Sequence, residues 1–433
     1  MNSEAGAYGF PAEPLRIALD IMRRNVPAMY VRSPNILWIV TTQWRASAFG
    51  FAGDPNARTP ELDALAAASV NYAQAVTPHP FGPFARAAML TGVLSPRNGV
   101  GNYFDPLPAS AETIAHALKA RGYTPAFFGK WHLAQRDPAA ALVGDAHARS
   151  VIPPEARGGF EVFEGFESGF LLNDPWLHGT RLSAPTQFKG YQSDVLCDRA
   201  AAWMADQKSR AGGGYFCVVS LEAPHPPYDA PAAGMVSRDP RLVVLPANVP
   251  RGGEIESKAR KELAGYYAHI EATDHAIGRL LARAPLEETV VVFTSVHGDM
   301  HGAHGLFRKG WPYEESVRVP LLVRIPGVVA RRDDSAISLV DLPAMTTGIA
   351  TGNQILPSWP TFSRLSMPSV VALKHQCDRI WKGVRTKTRK LILNEDRSVW
   401  LFHDLERDPL EMENLADDRA RSAEIEELKC RVK

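Results

Sequence analysis

Asn35-Ile36-Leu37-Trp38-Ile39-Val40 is an unbroken apolar run that stops at Thr41-Thr42. Such a run fits a parallel strand buried on both faces, because a strand wetted on one side alternates. Three stretches repeat the pattern: 122–128 before Gly129-Lys130-Trp131-His132, 215–221 before Glu222-Ala223-Pro224-His225, and 289–295 before Val296-His297-Gly298-Asp299. Helical periodicity falls between them, at 113–120, 193–206 and 256–283. A further helix opens at Thr59-Pro60-Glu61, with threonine as cap, proline in the first turn and acid near the dipole. Strands alternating with helices predict an α/β fold. Its large, mainly parallel central sheet is flanked by helices and carries polar residues along the carboxyl edge.

Outside this region the pattern changes. Residues 14–24, with Leu15, Leu19 and Met22 on one side, read as a helix in an N-terminal arm, 1–33. The α/β domain covers 34–365, with an irregular insertion rich in Gly, Pro and Asp at 133–185. In 366–433, short strands at 380–386, 390–394 and 399–404 and a helix at 419–429 predict a small C-terminal antiparallel sheet with a helix.

The 433 residues carry a net charge of +1, which gives no field to steer nucleic acid or a membrane surface. No run reaches the ~20 apolar residues of a transmembrane helix. The first 34 residues lack an apolar core followed by a small-residue cleavage site, and the four scattered cysteines form no disulfide or metal spacing. The expectation is a cytoplasmic protein with reduced structural thiols.

Thr77-Pro78-His79-Pro80-Phe81-Gly82-Pro83-Phe84-Ala85-Arg86-Ala87-Ala88-Met89-Leu90-Thr91-Gly92 resembles the sulfatase signature, in which a Cys or Ser stands four residues before the arginine. Further blocks match in order: Arg58-Thr59-Pro60-Glu61-Leu62-Asp63, Gly129-Lys130-Trp131-His132-Leu133, Ala223-Pro224-His225, Phe293-Thr294-Ser295-Val296-His297-Gly298-Asp299, Lys309-Gly310-Trp311-Pro312-Tyr313-Glu314 and Phe402-His403-Asp404-Leu405. Over residues 34–415 the chain resembles sulfatases and phosphonate monoester hydrolases of the alkaline phosphatase superfamily. The resemblance implies an alkaline-phosphatase-like sandwich.

The departures fall on the chemistry. The nucleophile position holds Gly82. The positions where the family carries metal-binding aspartates hold Thr41, Thr42 and Val296, which leaves His297 as a weak candidate metal ligand. Calcium and magnesium need carboxylate oxygens, so no cofactor is expected. By resemblance, Arg86, Lys130, His132, His225 and Lys309 line an anion pocket, with Thr41 and Thr42 as added hydroxyl donors. Losing a +2 ion and three carboxylates leaves such a pocket more positive, so its cations repel and their pKa values fall. Lys130, His132 and His225 are then the candidate acid–base groups. His79, on the signature loop, reads as a solvated surface group rather than a substitute nucleophile.

The leading expectation is a repurposed, metal-independent enzyme acting on an anionic small molecule. The alternatives are a non-catalytic pseudo-sulfatase that binds or scaffolds, and a residual sulfuric-ester or phosphonate-ester hydrolase. Whether Phe81, Phe84, Phe128 and Val296 fill the pocket separates the first two. By the same resemblance, the termini offer surfaces for a homo-oligomer.

Overall fold

The computed structural model describes residues 33–207, 214–352, 361–370 and 376–432. The expected arm helix at 14–24 lies outside them. The main sheet has ten strands: β1 (Asn35–Thr41), β2 (Val70–Tyr72), β3 (Thr124–Lys130), β4 (Val162–Phe166), β5 (Trp176–Gly179), β6 (Leu182–Gln187), β7 (Tyr215–Ser220), β8 (Thr289–Ser295), β9 (Leu321–Arg324) and β10 (Arg331–Asp333). Their order is β10-β2-β9-β8-β1-β7-β3-β4-β5-β6. The central block from β8 to β4 is parallel throughout. Antiparallel pairings extend it on both sides, through β9 and through β5 and β6.

Both faces of β1 are buried, as its unbroken apolar run predicts. Ile36, Trp38 and Val40 enter one core, and Leu37 and Ile39 enter the other. Because β1 pairs in parallel with β7 and β8, the carboxyl ends of all three arrive at one edge. The backbone ties them there: Leu221 donates its N–H to the Val40 carbonyl at 2.7 Å and Val296 to that of Thr41 at 2.9 Å. One line thereby holds Thr41, Thr42, Glu222, Val296 and, from β3, Lys130.

Two sequence readings need correction. Residues 133–185 are not merely an irregular insertion, since they contain β4, β5 and most of β6. These strands are too short, and too rich in Gly and Pro, to show an apolar run. Nor does Thr59 cap the helix Pro60–Ala67: its hydroxyl donates to Asp63 at 2.8 Å, and its side chain makes no capping bond. The cap comes from Asp274 on the long helix Glu254–Arg283, whose carboxylate accepts the N–H groups of Glu61 and Leu62 at 3.1 and 2.9 Å. A cap supplied by another helix leaves no local signal.

The second sheet is antiparallel, with strands Phe362–Met367, Trp381–Thr386, Arg389–Asn394 and Val399–Asp404 in that order. The helix Ser422–Lys429 packs on it through Ile425 and Leu428. Its first strand crosses the expected 365/366 boundary. This sheet also braces the site. Ser366 donates its N–H to the Pro78 carbonyl at 2.8 Å, and Trp381 Nε1 donates to the carbonyl of Gly310, next to Lys309, at 2.9 Å.

Gly129 tests how tightly the edge is built. Its φ is +110°, a region open mainly to glycine, and a Cβ there would stand 2.1 Å from the Ser220 carbonyl oxygen. Gly129→Ala is expected to cost about 3 kcal/mol or more, read from urea unfolding midpoints.

Candidate functional site

A cavity of about 310 Å³ opens on the carboxyl edge. Thr42, Gly82, Lys130, His132, His225, His297 and Lys309 border it. The sequence thus brings its predicted residues together, except that Thr41, Val296 and Arg86 stand behind the cavity wall. Of the four residues considered as fillers, Phe81 lines the cavity, while Phe84, Phe128 and Val296 are packed in the cores.

Gly82 opens the helix Gly82–Thr91. A Cβ at this position would lie 2.8 Å from His132 Nδ1, so the missing side chain lets the imidazole close on the helix start. His132 has φ +59°, and its turn is held from β4's end: His132 N–H donates to the Glu167 carbonyl, and the Glu167 carboxylate accepts the N–H groups of Leu133 and Ala134. His132 Nε2 accepts from Arg136 at 2.9 Å, and Arg136 forms a buried ion pair with Glu167 at 3.3 Å.

Lys130 is buried and paired with Glu222, Nζ to Oε1 at 2.5 Å. Arg86 donates to the Lys130 carbonyl at 3.0 Å, to Ser220 Oγ at 2.7 Å and to Thr42 Oγ1 at 3.0 Å. Lys309 differs from Lys130 and, like Arg86, meets only neutral acceptors. Its Nζ donates to Gln43 Oε1 at 2.5 Å and to His225 Nε2 at 2.9 Å, two neutral acceptors. Gln43 in turn donates through Nε2 to Asp299, which also accepts from Tyr228 at 2.6 Å.

The electrostatics follow from this wiring. Burial pushes the Lys309 ammonium down to about 7, with Asp299 opposing and Lys130 and Arg308 adding to the fall. Burial also lowers Lys130, with Glu222 opposing, and brings Arg86 down to about 10. His132, His225 and His297 lie well below the ordinary imidazole value, through burial first and then neighbouring cations, and are neutral at pH 7. His225 and His297 each give their Nδ1 proton to a carbonyl, of Pro226 and Gly298, so Nε2 of each is an acceptor. The expected mutual repulsion of cations is therefore only part of the picture, because Glu222, Glu167 and Asp299 offset it.

Thr41, Thr42 and Val296 stand where the resemblance implies metal-binding aspartates. Thr41 Oγ1 donates to the Thr294 carbonyl at 3.2 Å and Thr42 Oγ1 to the Leu221 carbonyl at 3.1 Å. Val296 has no donor atom. Among the described residues no group of three or more His, Cys, Asp or Glu is arranged to hold a metal. Calcium and magnesium are bound by several carboxylate or carbonyl oxygens, so this set does not fit them.

Sequence reasoning passed over Glu222, Gln43, Arg136 and Glu167. Glu222 and Gln43 each follow directly on a strand's polar end, which was the available signal. Arg136 and Glu167 sit in the segment read as irregular. His79 is fully buried, contrary to the surface reading: Nε2 accepts the Ser95 N–H at 3.0 Å and Nδ1 lies 3.1 Å from the Ser366 carbonyl. It fastens the signature loop to the second sheet and is not among the residues that border the cavity.

The Sulfatase family profile matches residues 34–352. The chain belongs to the sulfatase family. This sulfatase-family chain is 34% identical over 343 residues to an ulvan-active sulfatase of Formosa agariphila, covering 77% of this chain but only 62% of that relative's length. It is 26% identical to an arylsulfatase of Clostridium perfringens, over 92% of this chain and 93% of the other. Among solved structures, the yidJ protein of Bacteroides fragilis superposes with a TM-score of 0.81 at 22% identity, covering 94% of this chain and 96% of that one. The phosphonate monoester hydrolase of Agrobacterium radiobacter gives 0.69 at 20% identity, over 91% and 94%. These likenesses establish the alkaline-phosphatase-like fold. No helix among the described residues is long and apolar enough to cross a membrane.

Removing one member of a buried ion pair strands the other. Glu222→Ala is expected to cost about 3–5 kcal/mol in urea unfolding, and Lys130→Met combined with Glu222→Leu to recover most of it.

Proposed function

We propose that this chain is a metal-independent member of the sulfatase family that receives a small anionic molecule on the cavity floor, with Lys309 as its acid–base group. One observation carries the reading: among the described residues the cavity is bordered by Lys130, Lys309 and Arg308 and by no carboxylate. An anion is the natural counter-charge for Lys309, whose own contacts are neutral. With two N–H groups engaged by Gln43 and His225, the ammonium keeps a third for an incoming oxygen.

Lys309 also replaces the acid–base candidates read from sequence. Lys130 is committed to Glu222, and His225 Nε2 and His132 Nε2 already accept hydrogen bonds. An amine held near 7 exists in both protonation states at neutral pH, as proton transfer to or from a bound anion's carbon or oxygen requires. Gly82 offers no side chain for a covalent intermediate, so the reading excludes the family's nucleophilic ester hydrolysis from the steps this chain performs. The crowding of His132 against Gly82 favours, as a second reading, a protein that binds the anion and performs no chemistry.

Calorimetric titration with sulfate, which stays ionised across the neutral range, tests the floor. The protonated amine binds the anion, so affinity should be level below pH 7 and fall about tenfold per unit above it. Near pH 7, binding should take up a fraction of a proton, read from buffers of different ionisation enthalpy. Lys309→Met should abolish both effects. Sulfate binding that ignores pH and the substitution would contradict the proposal, as would no binding at all.

A further inference from the structure

The cavity that Lys130 and Lys309 border is also walled by Phe81, Tyr103, Leu142, Val143, Phe170 and Pro227. Val143 is 65% exposed, an apolar side chain left in water at the rim. The rings are fixed. Phe81 meets Tyr103 edge to face at 5.5 Å, and Phe170 stacks on the His225 ring at 4.6 Å and 7° between planes. Lys130 Nζ also stands 4.5 Å from the centroid of Phe170, so one aromatic face joins the wall to the charged floor.

What the wall lacks is equally specific. A sugar brings several hydroxyls, and each buried hydroxyl without a partner costs about 1–3 kcal/mol. Recognition therefore needs a fringe of carboxylates, amides or guanidinium groups above the anion site. Among the described residues no Asp or Glu borders the cavity, Gln376 is its one amide, and Arg308 is engaged by both oxygens of Glu262 at 2.7 and 3.0 Å. The volume of about 310 Å³ lies at the small end for a ligand pocket, enough for a charged head and one ring.

We infer that the ligand is a small monoanion whose organic part is apolar, a single aromatic ring or a short alkyl group, and not a sugar. This rests on the anion-binding floor proposed above and adds what stands over it. The head meets Lys309 and Lys130, and the ring lies against Phe170 with its far edge at Leu142 and Val143. The apolar wall then contributes by removing ring and side-chain surface from water.

Calorimetry with a series of constant head group separates the two claims. The probes are methyl sulfate, phenyl sulfate and glucose 6-sulfate. Phenyl sulfate is expected to bind at least about tenfold more tightly than methyl sulfate, the gain from burying one ring. Glucose 6-sulfate should bind no more tightly than methyl sulfate. Val143→Asp, which sets an acid at the rim, should weaken phenyl sulfate more than methyl sulfate. Equal affinities for the methyl and phenyl esters, or tightest binding of the sugar ester, would overturn the apolar-ligand inference while leaving the floor intact. No binding of any of the three would overturn both.

Discussion

The buried pair of Lys130 and Glu222 is the interaction on which the site depends. An unpaired ammonium cannot be kept in a protein interior without a cost of several kcal/mol, and Glu222 offsets that cost at 2.5 Å. Once Lys130 is fixed, its carbonyl helps hold Arg86, and Arg86 reaches Thr42 at the end of the first strand. The three parallel strands β3, β7 and β1 are thereby tied at their carboxyl ends by side chains as well as by the backbone ladder. Lys309 sits on a loop braced by the second sheet; like Arg86 it meets only neutral acceptors, but unlike Arg86 it borders the cavity. The asymmetry between a neutralised Lys130 and an under-neutralised Lys309 gives the cavity its polarity.

A metal-dependent sulfatase scaffold answers the problem of concentrating positive charge with a divalent ion and a cage of carboxylates. In this chain the positions that the resemblance assigns to metal-binding aspartates hold two hydroxyls bonded to carbonyls and an apolar valine, beside the side-chain cations Arg86, Lys130 and Lys309. Carboxylates without their metal would pair with Arg86 and Lys309 and close the cavity to anions. Threonine and valine leave those cations in place while adding no charge. Gly82 belongs to the same set, because the space its side chain would need is taken by His132.

The sheet was legible where its strands are buried on both faces. β1, β7 and β8 announce themselves as unbroken apolar runs, and the residues after them mark the site edge. Strands β4, β5 and β6 carry no such run, because they are short and interrupted by polar residues, Gly and Pro, and the segment reads as a loop. Arg86, Lys130, His132, His225 and Lys309 were found through resemblance, since nothing in their local spacing declares a common cavity. The partners Glu222, Gln43 and Asp299 were harder, because what they do depends on distances between strands far apart in sequence. His79 shows the limit in the other direction: a histidine between two prolines looks exposed until the second sheet is seen to cover it.

In the proposed function, protein cations and not a divalent ion supply the positive charge at this site. The most direct test is the metal content of the purified chain by plasma mass spectrometry, followed by calorimetric titration with calcium. The wild-type chain is expected to hold no stoichiometric divalent metal and to show no saturable calcium binding. One tightly held divalent ion per chain, lost on substitution of His297, would contradict the proposal.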